Sequence, residues 1–312
     1  MPTLRQFRYL TALADCLNFH KAAEACHVSQ PSMSIQIRDL ETKLGVELFE
    51  RTRRKVVLTP IGREVAERAR AVLREVQDIS DLARSARAPL SGPLRLGVIA
   101  TLGPYLMPYV LSAFREEHPD LRLYMREDPS RRLERRLKDG DLDVILVDFP
   151  VDMDGLDGFA LFAEPLWLAV AADHPLAGRP SVKAGDLANT DLLLLEEGHC
   201  LRQQVLELAH RVGAREHTGF QATSLDTLRQ MVASHIGPTL LPALYVAAEA
   251  AQDRQIKVLP ITDPVPTRTV GLLWRKRSTR FAEFRELGTF IRTRLPDVVT
   301  PFPVAPDAKA SL

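Results

Sequence analysis

Residues 19–52 read FHKAAEACHVSQPSMSIQIRDLETKLGVELFERT, and the part from Ser29 to Gly45 decides the fold of the first domain. Ser29 or Gln30 can cap a helix, Pro31 suits its opening turn, and Gly45 suits its end. Met33, Ile37, Leu40 and Leu44 then share one face. The opposite face carries Pro31, Ile35, Arg38 and Thr42, flanked by Ser32 and Ser34. Upstream, LRQFRYLTALADCL (residues 4–17) places Phe7, Leu10, Ala14 and Leu17 at helical spacing, and FHKAAEACHV reads as a short alanine-rich helix. A tight turn at His27-Val28-Ser29 joins the second helix to the third, which makes a helix-turn-helix.

The exposed face of the third helix is small and polar, as a helix pressed into the major groove requires. Ser29, Gln30, Pro31, Ser32, Ser34, Ile35 and Arg38 are therefore the candidate DNA contacts. Ile35 has an apolar use against a thymine methyl, and Arg38 can reach a guanine edge or a phosphate. FERTRRKVVLTP (residues 49–60) follows as a hairpin wing, with Arg51, Arg53, Arg54 and Lys55 grouped for phosphate contacts. A plain three-helix bundle with a solvated basic loop is the competing reading of this stretch.

Charge agrees with a nucleic-acid-binding head. The 312-residue chain has a net charge of +1, but residues 1–88 hold 15 Lys and Arg against 11 Asp and Glu, leaving the remainder slightly acidic. With 46% hydrophobic and 26% charged residues, composition is that of a globular protein. The N-terminus shows no signal-peptide pattern, and the longest apolar uncharged run, His235–Ala248, is too short to span a bilayer. A cytoplasmic location is expected. Three cysteines in a reducing compartment argue against a structural disulfide framework.

From Pro60 to Ala88 no proline interrupts the pattern. Val65, Ala69, Val72, Val76, Ile79 and Ala83 recur at alternating spacings of four and three, an a/d heptad seam on which two chains can pair. A dimer of helix-turn-helix heads reads two half-sites, so the DNA target is expected to be pseudo-palindromic. A helix packed on its own domain is the alternative. APLSGP (residues 88–93) reads as a linker.

Beyond it the apolar runs LRLGVIA, LRLYMRED, LDVILVD, LWLAVAA, DLLLLEE, TLLPALYV and RTVGLLWR alternate with helical stretches. This predicts an α/β body of one or two lobes with a largely parallel sheet. Ligands of such sheets bind beyond the carboxyl ends of strands, near helix N-termini. Thr101, Ser130, Thr223, Ser224 and Cys200 all stand at such ends. Each alone reads as a cap or turn residue; together they outline a cleft. A helix start can favour the Cys200 thiolate, with His199 or Arg202 adding to it and Glu196 and Glu197 opposing it. The residues alone leave Cys200 either a reactive centre or an inert small side chain. A cysteine enzyme built on Cys200 and His199 lacks a third orienting residue, so no enzymatic activity is expected. His199, Cys200 and His210 lack the spacing of a metal site, so neither metal nor cofactor is expected.

The quoted stretch FHKAAEACHVSQPSMSIQIRDLETKLGVELFERT, the long linker helix and the two-lobed body resemble the LysR-type transcriptional regulators over nearly the whole chain. GVIATLGPYLMPYV, EEGHCLRQQ, ATSLDTLRQMVA and TLLPAL are similar to the peroxide-responsive OxyR subgroup. The resemblance implies a winged helix-turn-helix (1–59), a linker and dimerisation helix (60–88), a periplasmic-binding-protein-like α/β regulatory domain (89–300) and a flexible tail (301–312). It implies an activator that senses hydrogen peroxide, acts with RNA polymerase and assembles as a dimer of dimers. In that subgroup a cysteine in GHCLR is oxidised, and a second, nine positions later, closes a disulfide. These map onto Cys200 and Ala209, so the resolving cysteine is absent here. By the same resemblance, Thr101 and Ser130 would help hold peroxide, with His199 beside it and Arg268 supporting the oxidised state; Arg202, Thr223 and Ser224, from the strand-end and helix-start readings, are the further pocket candidates. VASHIGPTLLP departs from the usual glycine-rich turn through His235 and Pro238. A regulator that binds a small organic effector in the cleft, with Cys200 outside the chemistry, is the alternative.

Overall fold

The computed structural model describes residues 1–51, 55–85 and 89–302, in two units that meet between Ala83 and Arg84. In the first, helices α1 (Leu4–Cys16), α2 (Phe19–Ala25) and α3 (Gln30–Leu44) precede a hairpin of β1 (Phe49–Arg51) and β2 (Val56–Leu58) and the long helix α4 (Pro60–Ser85). Each short helix starts on a side-chain cap: Thr3, Asn18 and Ser29 accept from Gln6, Lys21 and Ser32 N–H respectively. Each such cap contributes about 1 kcal/mol. His27 turns the chain between α2 and α3 at φ +55°. Met33, Ile37 and Leu40 of α3 lose all exposure against Leu10, Leu13 and Ala22, worth about 2 kcal/mol per large side chain. The α1 stripe differs from expectation at one end. Leu17 leaves the helix at φ +47° and is exposed, and Tyr9 and Leu13 take its place in the core.

The heptad seam of α4 divides. Ala69 is buried and Val65 partly buried in the head's own core, so these two positions pack within the unit. Val72, Val76, Ile79 and Ala83 remain exposed, Ile79 at 67%.

The second unit holds β3 (Gly92–Val98), α5 (Gly103–Glu117), β4 (Leu121–Glu127), α6 (Ser130–Asp139), β5 (Val144–Phe149) and β6 (Leu156–Ala171). There follow β7 (Val182–Lys183), β8 (Asp191–Leu195), α7 (Cys200–Val212), β9 (Arg215–Ala222), α8 (Leu225–Ala233), β10 (Thr239–Pro242) and α9 (Ala243–Ala248). It closes with β11 (Ile256–Thr262), β12 (Thr267–Arg275), α10 (Phe281–Arg292) and β13 (Thr300–Pro301). The main strand order is β4-β3-β5-β12-β6-β10-β8-β9. β6 serves both lobes: residues up to Pro165 pair with β12, and residues from Leu166 pair with β10 and β11.

The sheet is mixed, not largely parallel. β3 is parallel to β4 and β5, and β8 to β9 and β10, but β12 runs antiparallel to β5 and β6 because the chain crosses between lobes directly on strands. Two more expectations are corrected. TLLPALYV is a four-residue strand followed by a helix: Pro242 ends the strand opposite Leu166 and stands at the N-cap of α9. Gly92 and Pro93 belong to β3 and Pro301 to β13, whose partner is Phe162, so the linker and the tail are both shorter than expected. The remainder of the tail, 303–312, and linker positions 86–88 lie outside the described residues. His235 turns at φ +60° and pairs with Asp173 at 3.3 Å on the surface.

Gly271 of β12 lets the Phe149 ring lie across it, since an added Cβ would stand 1.8 Å from Phe149 Cε2 and 2.8 Å from the Phe159 carbonyl oxygen. Gly271→Ala is expected to destabilise the second unit by about 1–3 kcal/mol. Gly185→Ala, with nothing within 4 Å of the new Cβ, should stay within about 0.5 kcal/mol of the parent. Thermal unfolding of the two variants checks the pair.

Candidate functional site

The site is assembled where two helices of the second unit begin. β8 ends at Leu195, and the turn Glu196–His199 passes through Gly198 at φ +102°, a conformation that side chains rarely adopt. That turn delivers Cys200 as the first residue of α7. Opposite it, Ser130 is the first residue of α6 and is buried. The Cys200 thiol donates to Ser130 Oγ at 2.9 Å, a contact from one lobe to the other.

Behind this pair lies a fully buried ion network. Arg268 of β12 donates through Nε to Glu164 Oε2 at 2.8 Å, and its Nη2 lies 2.7 Å from the same oxygen. Its Nη1 reaches Thr101 Oγ1 at 3.0 Å and Asp148 Oδ2 at 3.3 Å, and its Nη2 also donates to the Thr101 carbonyl oxygen at 3.0 Å. Glu164 Oε1 accepts from Leu244 N–H at the start of α9 at 2.7 Å. Asp148 Oδ1 is buried and has no hydrogen-bond partner.

These charges act on the thiol. Burial is the main effect and pushes Cys200 above its ordinary value; Asp148 and Glu134, when ionised, push the same way, while Ser130 and Arg268 oppose them. The expected preference for thiolate at a helix start is thus overcome by loss of water. The opposing carboxyls are not the sequence neighbours Glu196 and Glu197, which are exposed. His199 is half-buried, burial depresses its imidazole, and Glu196 offsets this only in part. Burial thus favours the uncharged imidazole beside the thiol.

Of the expected pocket residues, Thr101, Ser130, Cys200 and Arg268 come together, with His199 adjoining. Arg202 does not join them. It points to the Leu195 carbonyl and clasps Glu216 at 2.8 Å, tying α7 to β9. Ser224 caps α8 and meets the Thr227 hydroxyl, and Thr223 is exposed.

Sequence reasoning missed Asp148, Glu164 and Gln204. Asp148 ends the buried run VILVDF, and Glu164 interrupts an apolar strand; a carboxyl in either place signals a buried partner. Gln204 lies one turn after Cys200 on the same helix face. Its Nε2 donates to the Phe149 carbonyl at 3.4 Å, while Oε1 is buried and unpartnered.

On the first unit, α3 presents Ile35 at 61% exposure and Arg38 exposed beside it. Ser29, Gln30 and Pro31 are exposed at its start, with Ser32 and Ser34 half-buried. Lys55 is exposed; Arg53, Arg54 and the side chain of Arg51 lie outside the described residues. No group of three His, Cys, Asp or Glu able to hold a metal occurs among the described residues, nor is any described helix long and apolar enough to cross a membrane.

Residues 4–63 match the family model of the bacterial regulatory helix-turn-helix protein, lysR family, and residues 87–296 match the LysR substrate binding domain. The chain is 43% identical over 292 residues to the DNA-binding transcriptional dual regulator OxyR of Escherichia coli K12, covering 94% of this chain and 95% of that one. It is 39% identical over 275 residues to the hydrogen peroxide-inducible genes activator of Haemophilus influenzae, covering 88% and 91%. Among solved structures, a full-length cysteine-to-aspartate variant of OxyR from Pseudomonas aeruginosa superposes with a TM-score of 0.78 at 37% identity, over 97% and 99% of the two chains. A cysteine-to-serine variant of Corynebacterium glutamicum OxyR with hydrogen peroxide bound gives 0.66 at 34% identity, over 94% and 92%.

The raised thiol sets an expected pH profile. Alkylation of Cys200 by a neutral reagent, in protein with Cys16 and Cys26 replaced by serine, should reach half its maximal rate above pH 9.0, the ordinary thiol value. Ser130→Ala removes a contact that favours the thiolate and should move the midpoint further up. A midpoint below the ordinary value would contradict the burial argument.

Proposed function

Since the chain belongs to the LysR family of bacterial helix-turn-helix regulators, we propose that it is a transcription regulator of oxidative-stress genes that senses hydrogen peroxide through Cys200 alone. The observation that carries this reading is the Cys200–Ser130 contact at 2.9 Å, set against the buried Arg268 network. A thiol meets a hydroxyl across a lobe boundary, beside the buried oxygens Asp148 Oδ1 and Gln204 Oε1, which lack hydrogen-bond partners. Hydrogen peroxide both donates and accepts through its two O–H groups and is small enough for a polar seam. Thr101, Ser130, His199, Arg268, Asp148 and Gln204 form its surroundings. Arg202, Thr223 and Ser224 have the structural roles described above.

Oxidation gives a sulfenic acid on Cys200. Ala209, where the relatives' second cysteine would align, is buried at 1% exposure within the core, so no disulfide forms within α7. The sulfenic acid itself is the signal.

The regulator works in the cytoplasm as a dimer or dimer of dimers on pseudo-palindromic promoter DNA, and acts with RNA polymerase. Val72, Val76, Ile79 and Ala83 form the pairing stripe. A groove of about 840 Å³ between α1 and α4, walled by Leu4, Tyr9, Val28, Leu73 and Val76, continues that stripe and supports pairing there. Ser29, Gln30, Pro31, Ser32, Ser34, Ile35 and Arg38 read bases and set the helix in the groove, and Arg51, Arg53, Arg54 and Lys55 hold phosphates.

Two measurements test the reading. In full-length protein with Cys16 and Cys26 replaced by serine, one equivalent of hydrogen peroxide should yield a trapped sulfenic acid within seconds, and Cys200→Ser should abolish it. Trapping no faster than at a free thiol would remove the sensor. For the DNA-binding arm, Ile79→Asp should split the dimer in sedimentation and cost about a hundredfold or more in affinity for the paired site, because each head then binds its half-site alone. An unchanged footprint would place the pairing elsewhere.

A further inference from the structure

The buried network around Arg268 is unbalanced as drawn by its residues: one guanidinium faces two carboxyls, all three without exposure. Glu164 has both oxygens occupied by donors, Arg268 on one and Leu244 N–H on the other. It is therefore the anion. With Arg268 it closes a neutral pair, and a second bare anion in the same dry site would be uncompensated. Asp148 stands differently. Its Oδ2 lies 3.3 Å from Arg268 Nη1, longer than the roughly 2.7–2.9 Å of a charge-assisted contact. Nη1 makes its shorter bond to Thr101 Oγ1 at 3.0 Å. Asp148 Oδ1 has no partner at all. Burial raises both carboxyls against the pull of Arg268, so it is the hydrogen bonding that tells them apart. The ionisable groups facing this place are Arg268 from β12, Glu164 from β6, Cys200 from α7 and, toward the thiol, Glu134 from α6. His199 stands at the α7 start, where burial favours its uncharged form.

We propose that Asp148 is a neutral acid in the reduced protein, with its proton on Oδ1, and that it gives this proton to the departing oxygen of the peroxide attacked by Cys200. The proposal rests on the reading of Cys200 as the peroxide-reactive residue. It also explains how a thiol raised by burial can serve that role: an un-ionised thiol needs its proton moved as it reacts, and the leaving hydroxide needs one supplied. The Cys200 sulfur attacks one peroxide oxygen, the O–O bond breaks and an S–O bond forms. Sulfur is oxidised by two electrons and the peroxide is reduced by two. The departing oxygen takes the Asp148 proton and leaves as water. The thiol proton returns to the Asp148 carboxylate, and the product sulfenic acid keeps the proton of the attacked oxygen. Asp148 ends as it began.

The test compares full-length protein carrying only Cys200 with its Asp148→Asn variant, by sulfenic acid trapping and intact mass across pH. Asparagine keeps the shape and neutrality of the acid but has no proton to transfer. The rate with hydrogen peroxide should fall about a hundredfold and its pH dependence should steepen. Alkylation by iodoacetamide, whose leaving iodide needs no proton, should change by less than about threefold, and Tm should barely move, because a neutral group replaces a neutral group. An equal slowing of both reagents marks a structural role and overturns the proposal, as does an unchanged peroxide rate. Should the variant not fold, the infrared C=O band of a protonated carboxyl, measured on the parent, decides: its absence at neutral pH overturns the proposal. A parent that alkylates but does not react with peroxide is a separate outcome, which removes the sensor reading itself.

Discussion

Arg268 stands on β12 where that strand carries the chain back from one lobe to the other, and its side chain is fully buried. From there it binds the end of β3 through Thr101, the end of β5 through Asp148 and the middle of β6 through Glu164. Glu164 extends the reach to α9 through Leu244 N–H. A guanidinium presents five N–H donors in a fixed plane, which is what lets one residue hold several strand ends at once. A buried pair of this kind adds little net stability, since the desolvation of its charges offsets most of their attraction. What it fixes is geometry. The end of β3 is where α5 departs, and β5 lies between β3 and β12 in the sheet, so the Arg268 contacts tie these adjacent strand ends to β6.

Burial settles a competition at the thiol. Two helix starts favour an anion between them, worth typically under about 1 kcal/mol each. Removing a thiolate from water costs more and is the main effect, so the thiol stays up. The same dryness that holds the proton on sulfur strengthens every hydrogen bond in the seam. Under the proposed function, reactivity in such a site depends on proton transfer between neighbours and less on a standing population of thiolate.

Much of this was readable from residues, and the misses follow a pattern. The α3 face was legible because its spacing, its cap Ser29 and its stop Gly45 agree, and local agreement of that kind survives folding. The buried strands β5 and β8 were legible as unbroken apolar runs. The edge strand β9 was not, because RE-HTGFQA is exposed along most of its length and has no run to see. Sheet direction was misread since two antiparallel crossings of β6 and β12 leave the same apolar signature as parallel strands. At the site, residues at strand ends could be named one by one. Which of them converge depended on contacts more than a hundred positions apart, such as Arg268 with Glu164 or Thr101, and Arg202 was claimed by a local partner, Glu216, that spacing does not reveal. In α4, the heptad pattern could not tell that Val65 and Ala69 serve the head's own core while the positions beyond them face outward.

Under the proposed function, the fate of α7 on oxidation follows from Ala209. Positions 200 and 209 are nine apart in one helix, about 13 Å along its axis, and a disulfide between them requires Cα atoms within roughly 7 Å. A chain with cysteines at both places has to unwind the helix and withdraw Val205, Leu208 and residue 209 from the core in which they are buried here. This chain has nothing to draw it through that cost. Oxidation instead adds one oxygen at the first residue of an intact helix, within a seam whose far wall is Ser130 and whose buried, partnerless oxygens belong to Asp148 and Gln204. The thiol is a weak donor and a sulfenic acid a strong one, so the change falls on the contact between lobes and leaves the core of α7 packed. The switch is then a change in how firmly two lobes meet, carried by one atom at their boundary.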